Sequence, residues 1–113
     1  MYGIKNCNTV KSAIDWLKEH DVAFEFHDYK KEGITREHLR EWIRQIGWEK
    51  LVNTRGTTWR QLEESVRSNV TNEPAALALM LEKTSVIKRP LLEEKGKVIA
   101  VGFDAAEYEK IFA

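Results

Sequence analysis

Cysteine is almost missing from this chain: one of its 113 residues, Cys7, carries a thiol, so no disulfide can close within it. Excess charge of either sign is missing too. Lys and Arg total 18 and Asp and Glu total 18, which removes the global basic field that nucleic acid or an anionic membrane would require. No apolar run approaches the ~20 residues of a membrane-spanning helix, and nothing at the N-terminus reads as a signal peptide. A cytoplasmic protein with a reduced thiol is the consistent expectation. His20, His27 and His38 have no ligand spacing with one another or with Cys7, so no metal is expected. Internal repeats and low-complexity stretches are absent. Asn69-Val70-Thr71 matches the glycosylation sequon, but without a secretory signal it reads as a chance match.

What is present is enough for one domain over residues 1–113, burying about two thirds of the surface its unfolded chain would expose. Residues 1–6 read as a first strand. Val10, Ala13, Ile14 and Leu17 follow at helical spacing, giving a helix capped by Asn8 or Thr9 and ending near His20-Asp21. Residues 23–29 alternate Phe24 and Phe26 against Glu25 and His27, a half-buried strand. Strand, helix, strand in about thirty residues is a βαβ unit, whose right-handed crossover makes the strands parallel.

The middle of the chain is helical, with an inserted lobe expected over about residues 34–84. Lys30-Lys31-Glu32-Gly33 reads as a loop. Thr35 caps a helix bearing Leu39, Trp42, Ile43 and Ile46 on one face, stopped by Gly47. A turn through Trp48 and Leu51 follows, then the loop Asn53-Thr54-Arg55-Gly56-Thr57 and a helix from Thr58 through Leu62 and Val66. Pro74 fits the first turn of a nearly all-apolar, hence buried, helix over residues 75–83. Strand character returns at Val86-Ile87. Leu91-Leu92, the tight turn Glu94-Lys95-Gly96-Lys97 and Val98-Ile99-Ala100-Val101 then form a hairpin. Asp104 caps a last helix whose apolar face is Tyr108, Ile111 and Phe112.

Cys7 stands where the first strand gives way to the first helix. Unpaired backbone N–H groups and the positive end of the helix dipole favour thiolate there, although a lone cysteine can equally fill an apolar corner of a core. A βαβ half and a ββα half around one four-stranded mixed sheet make an α/β thioredoxin-like fold, in which a cysteine opening the first helix faces a proline that begins the third strand. Cys7 and Pro90 occupy those two places.

Tyr2-Gly3-Ile4-Lys5-Asn6-Cys7-Asn8-Thr9-Val10-Lys11, Asn53-Thr54-Arg55-Gly56-Thr57, Ile87-Lys88-Arg89-Pro90-Leu91-Leu92 and Val101-Gly102-Phe103 closely resemble the arsenate reductase (ArsC)/Spx family, in particular its YffB-like subgroup. The resemblance runs through essentially the whole chain. It implies that Cys7 is the catalytic nucleophile and that Arg55 and Arg89 bind the anionic substrate. Pro90, through a cis bond, would present backbone to a bound thiol. The glutaredoxin-coupled arsenate reductases use a third arginine, at about Val101-Gly102-Phe103-Asp104 here; this chain has none there, and Asp104 adds an opposing charge. The Spx regulators use a Cys-x-x-Cys switch whose second position is Val10 here, so that switch is excluded. Lys5 and Lys11 lie near Cys7 in sequence but read as solvated. Relatives carry a few more residues ahead of the first strand, so the chain is expected to start late or to have lost its extreme end.

The expected function is a cytosolic thiol-dependent reductase, glutathione-linked, with one nucleophilic cysteine and an arginine-lined anion site. Alternatives are arsenate reductase proper, or an Spx-like regulator that binds RNA polymerase without a redox switch. No bound cofactor is expected. Glutathione would be the co-substrate, with glutathione or a glutaredoxin as thiol partner and a small anionic or disulfide substrate. A monomer is expected, with no nucleic acid or membrane partner.

Overall fold

The structure is a computed structural model that describes residues 1–4 and 7–112. Lys5 and Asn6, the expected end of the first strand and one of the two lysines considered beside Cys7, lie outside the described residues. The chain divides into two compact units, one from the described parts of Met1–Glu32 and Arg89–Ala113, the other Gly33–Lys88.

The first unit opens with β1 (Tyr2–Gly3), α1 (Asn8–Glu19), β2 (His27–Asp28) and α2 (Tyr29–Glu32). Helix α1 sets its register by burying Val10, Ala13 and Leu17 completely, and each large apolar side chain so buried contributes about 1.5–3 kcal/mol. Its N-cap is Cys7 rather than Asn8 or Thr9, because the chain is still extended at Cys7, whose carbonyl accepts the Lys11 N–H at 3.0 Å. Two expectations need correction. Residues 23–26 keep the alternating exposure of a strand, but only His27 and Asp28 enter the ladder, since β1 offers only Tyr2 and Gly3 as partners. Residues 29–32 are a helical turn, not a loop: Asp28 Oδ1 accepts the N–H of Lys30 at 2.8 Å and of Lys31 at 3.3 Å, nucleating the turn as an N-cap does.

The second unit is helical: α3 (Arg36–Ile46), α4 (Trp48–Leu51), α5 (Thr57–Gln61), α6 (Glu64–Ser68) and α7 (Glu73–Glu82), closed by a 3-10 turn over Thr84–Val86. Thr35 caps α3 by accepting the His38 N–H at 3.1 Å, and Gly47, at φ 86°, ends it. Leu39 and Trp42 on α3 and Met80 on α7 are fully buried, making the heart of this unit's core. The single helix expected from Thr58 to Val66 is broken at Leu62, which is extended. Val66 is exposed, so no burial rewards a continuous helix. Asn72 accepts the Ala75 N–H at 3.0 Å to cap α7, with Pro74 in its first turn. The strand expected at Val86-Ile87 reduces to one antiparallel bridge, Val52 with Ile87, because Val86 is taken into the 3-10 turn.

The chain then returns to the first unit with β3 (Leu91–Glu94), β4 (Lys97–Val101) and α8 (Ala105–Phe112). Lys95 and Gly96 both have positive φ, 51° and 82°, the two-residue turn that suits a hairpin's twist. Asp104 Oδ1 accepts the N–H of Ala106 at 2.9 Å and of Glu107 at 3.2 Å, capping α8. Strand order is β2-β1-β3-β4, with β1 parallel to β2 and antiparallel to β3, which is the mixed sheet of a thioredoxin-like fold. Helices α1 and α8 pack their buried Val10, Leu17 and Tyr108 with Met1 and with Leu92 and Ala100 of the sheet.

Candidate active site around Cys7

Cys7 is half-buried, a free thiol at the first turn of α1. No cap hydrogen bond is completed by its side chain, yet the backbone N–H groups of that turn act on the sulfur. Burial opposes ionisation and would push the thiol up. The Val10 N–H, then the hydrogen bond and charge of Arg89, then the Thr9 N–H outweigh it, and the thiol sits below its ordinary range. Backbone N–H groups and a guanidinium aimed at one sulfur are what a thiolate needs, and equally what an anion approaching that sulfur would meet.

Arg89 reaches this place by lying two residues before β3, the antiparallel neighbour of β1, at the end where β1 leads toward Cys7. Its peptide to Pro90 is cis, and Pro90 is fully buried with its carbonyl accepting the Gly102 N–H at 2.8 Å. Around Arg89 lies a group that reading by spacing did not find. Burial holds the Tyr29 phenol far above its usual range, with Tyr2 and Glu93 adding to the effect and the Arg89 charge opposing it. Tyr2 stacks on Tyr29 with ring centroids 6.2 Å apart, and its hydroxyl donates to Glu93 Oε1 at 3.4 Å. Burial first, then Glu93, pushes Tyr2 up to about 12. These residues come from positions 2, 29, 89 and 93, and no local motif links them.

Of the expected site residues, Cys7, Arg89 and Pro90 belong to the first unit, where Arg89 acts directly on Cys7. Arg55 belongs to the second unit and is exposed on the loop before α5. Asn53 shapes that loop: its Oδ1 accepts the Arg55 N–H at 3.2 Å and its carbonyl accepts the Gly56 N–H at 3.3 Å. A Cβ on Gly56 would stand 2.8 Å from the Asn53 amide nitrogen, so a larger residue there would push the Asn53 side chain aside. Lys11 is exposed. Where a third arginine would be sought, Asp104 spends its carboxylate on the cap of α8. Val10, at the place of a second cysteine, is fully buried under the sheet.

A protein of Haemophilus influenzae without an assigned function is 42% identical over 113 residues, covering 100% of this chain and 97% of that one. A solved structure named YffB superposes with a TM-score of 0.90 at 48% identity, covering 99% and 96% of the two chains. The solution structure of an arsenate reductase (ArsC) related protein from Brucella melitensis superposes with a TM-score of 0.79 at 50% identity, covering 98% and 91%. Residues 2–111 match the ArsC family as a whole, and the chain belongs to that family.

Proposed function

We propose that this protein is a thiol-dependent reductase in which Cys7 is the nucleophile and glutathione the co-substrate. The observation that carries the reading is the Cys7 thiol itself, held below its ordinary range by the first-turn N–H groups and Arg89. Kinship with an arsenate reductase related protein agrees with that chemistry. In the proposed cycle the Cys7 thiolate attacks one sulfur of a substrate disulfide. The S–S bond breaks, the leaving thiolate takes a proton from water, and Cys7 is left in a mixed disulfide. A second thiol must come from outside, because the chain has one cysteine. Glutathione attacks the mixed disulfide and frees Cys7 as thiolate. A second glutathione then exchanges with the glutathione disulfide of the released half, so two glutathione thiols are oxidised as one disulfide is reduced to two thiols.

Arg89 would grip a carboxylate of glutathione as a planar fork suited to it, and Pro90 would line the peptide backbone; Arg55 is the second arginine that the family resemblance assigns to the anion. Incubation with glutathione disulfide followed by intact-mass measurement tests the reading. One glutathione per chain, released by added thiol and lost in Cys7→Ser, is the expected result; an unmodified wild-type chain would overturn it. Arsenate turnover should be weak even with glutathione and glutaredoxin supplied. A missing charge-assisted contact costs an ionised ligand a few kcal/mol, about 100-fold in efficiency. Rapid arsenate reduction would show that another residue supplies the third contact.

A further inference from the structure

Strands β3 and β4 bring one more side chain beside Arg89. Their ladder pairs Leu91 with Val101, and the Gly102 N–H donates to the Pro90 carbonyl at 2.8 Å, so residue 102 lies across from residue 90. One residue further, Phe103 comes alongside Arg89, whose guanidinium acts on the Cys7 sulfur. Gly102, at φ 81°, bends the chain out of the ladder at this point. Cys7, Arg89 and Phe103 all belong to the first unit.

Phe103 is half-buried, as Cys7 is, so part of its ring meets solvent. Both side chains pack against the same buried cluster, which includes Val10 in the first turn of α1 and Tyr108 on α8. The fully buried Tyr108 meets Phe103 edge-on, with centroids 4.9 Å apart and planes at 87°, and meets Trp16 edge-on at 5.4 Å. These contacts fix the Phe103 ring in one orientation before anything binds. Asp104, next in the chain, commits its carboxylate to the N–H groups of Ala106 and Glu107. The surroundings of the thiol therefore have two characters: N–H groups and Arg89 for an anion, and a held aromatic ring for a flat apolar group.

We propose that Phe103 is a specificity-determining residue, and that the substrate is a disulfide joining glutathione to a thiol that carries an aromatic group. The proposal rests on the reductase reading and names the substrate class of the same site. The Cys7 thiolate attacks the glutathione sulfur, a new S–S bond forms as the old one breaks, and the aromatic thiolate leaves and takes a proton from water. An aromatic pair beside the reacting sulfurs favours such a substrate over a polar aliphatic one by about threefold to tenfold.

The probes are the glutathione mixed disulfides of benzyl mercaptan and of 2-mercaptoethanol, whose leaving thiols are nearly equal in acidity. Single-turnover glutathionylation of Cys7 is followed by intact mass, and each rate is divided by that of N-acetylcysteine with the same compound. The benzyl compound should be favoured about threefold to tenfold. Phe103→Leu, which keeps the bulk and loses the ring, should at least halve that ratio, and Phe103→Tyr should keep it. Equal corrected rates in the wild-type chain, or a ratio unchanged by Phe103→Leu, would overturn the proposal and leave the reductase reading standing. A Cys7 that neither compound modifies would overturn both.

Discussion

Arg89→Ala is the substitution that most sharply tests the site. Arg89 acts on the Cys7 sulfur by hydrogen bond and by charge. A charge-assisted contact is worth about 1.5–3 kcal/mol. Cys7 is only half-buried, and solvent screening brings the expected loss down to about 1–1.5 kcal/mol. At 1.36 kcal/mol per pH unit, the inflection in alkylation rate against pH should move up by about one unit. Below the inflection, about a tenth of the thiolate would remain, each ion about threefold more nucleophilic at a Brønsted slope near 0.45, so alkylation by neutral iodoacetamide should slow only about threefold to fourfold. Anionic iodoacetate also loses its attraction to the guanidinium, so the ratio of the two rates should fall by a further factor of about three or more. Arg89→Lys should preserve most of the inflection while losing the planar fork. Arg55→Ala should change both readings less than Arg89→Ala. If Arg89→Ala moved the inflection by less than about 0.3 unit and left the ratio unchanged, the guanidinium would not be what holds the thiolate or receives the anion.

The remaining expectations concern pH and helix ends. Cys7 is lowered in the folded state, so it adds stability that grows as pH rises from its folded value to about 8.5, levels off above that, and is lost as pH falls; Cys7→Ser should flatten this slope in denaturant titrations at stepped pH. All three tyrosines are raised, Tyr2 to about 12 and Tyr29 and Tyr108 further, chiefly by burial. The native protein should therefore show no phenol step near pH ~10 in ultraviolet titration, and stability should fall as pH rises above ~10, where the unfolded chain ionises first; a full phenol step near 10 in folded protein would contradict the burial. Thr35→Ala removes the acceptor of the His38 N–H and should cost about 1 kcal/mol, read as a lowered Tm, whereas Thr35→Ser should retain most of it.

Local chemistry was legible where one residue does one job. Thr35 and Asp104 cap, Gly47 stops a helix, Lys95-Gly96 turns a hairpin, and each does so because the responsible group lies within a few residues of what it satisfies. The topology followed from the order of such pieces. Lengths were less legible. The Phe24-Phe26 alternation announces a strand, but a ladder needs a partner, and β1 provides two residues of it. The helix through Val66 had the right spacing and no core to face. At the site, Cys7 and Arg89 were found through their places in a family pattern. Tyr2, Tyr29 and Glu93 were invisible because the sheet, not the sequence, makes them neighbours. Spacing also missed the Val10 N–H, since Val10 stood out as an apolar core residue while its backbone does the electrostatic work.

The hydrogen-bonded neighbours of β1 are made at very different times. His27 follows Tyr2 within a short stretch of synthesis, but Leu91 comes only after the whole helical unit. At about 5–20 residues per second, on the order of 5–20 s separates the two ends of the β1–β3 pairing. Throughout that interval Cys7 exists and Arg89 does not. A growing chain thus carries Cys7 with only the local Val10 and Thr9 N–H groups to favour its thiolate, and the guanidinium that adds to them arrives with Arg89, near the end of synthesis. Part of the reactivity thereby arrives only with completion: a truncated or stalled product would lack the guanidinium's share, although it contains the same cysteine and the same first helical turn.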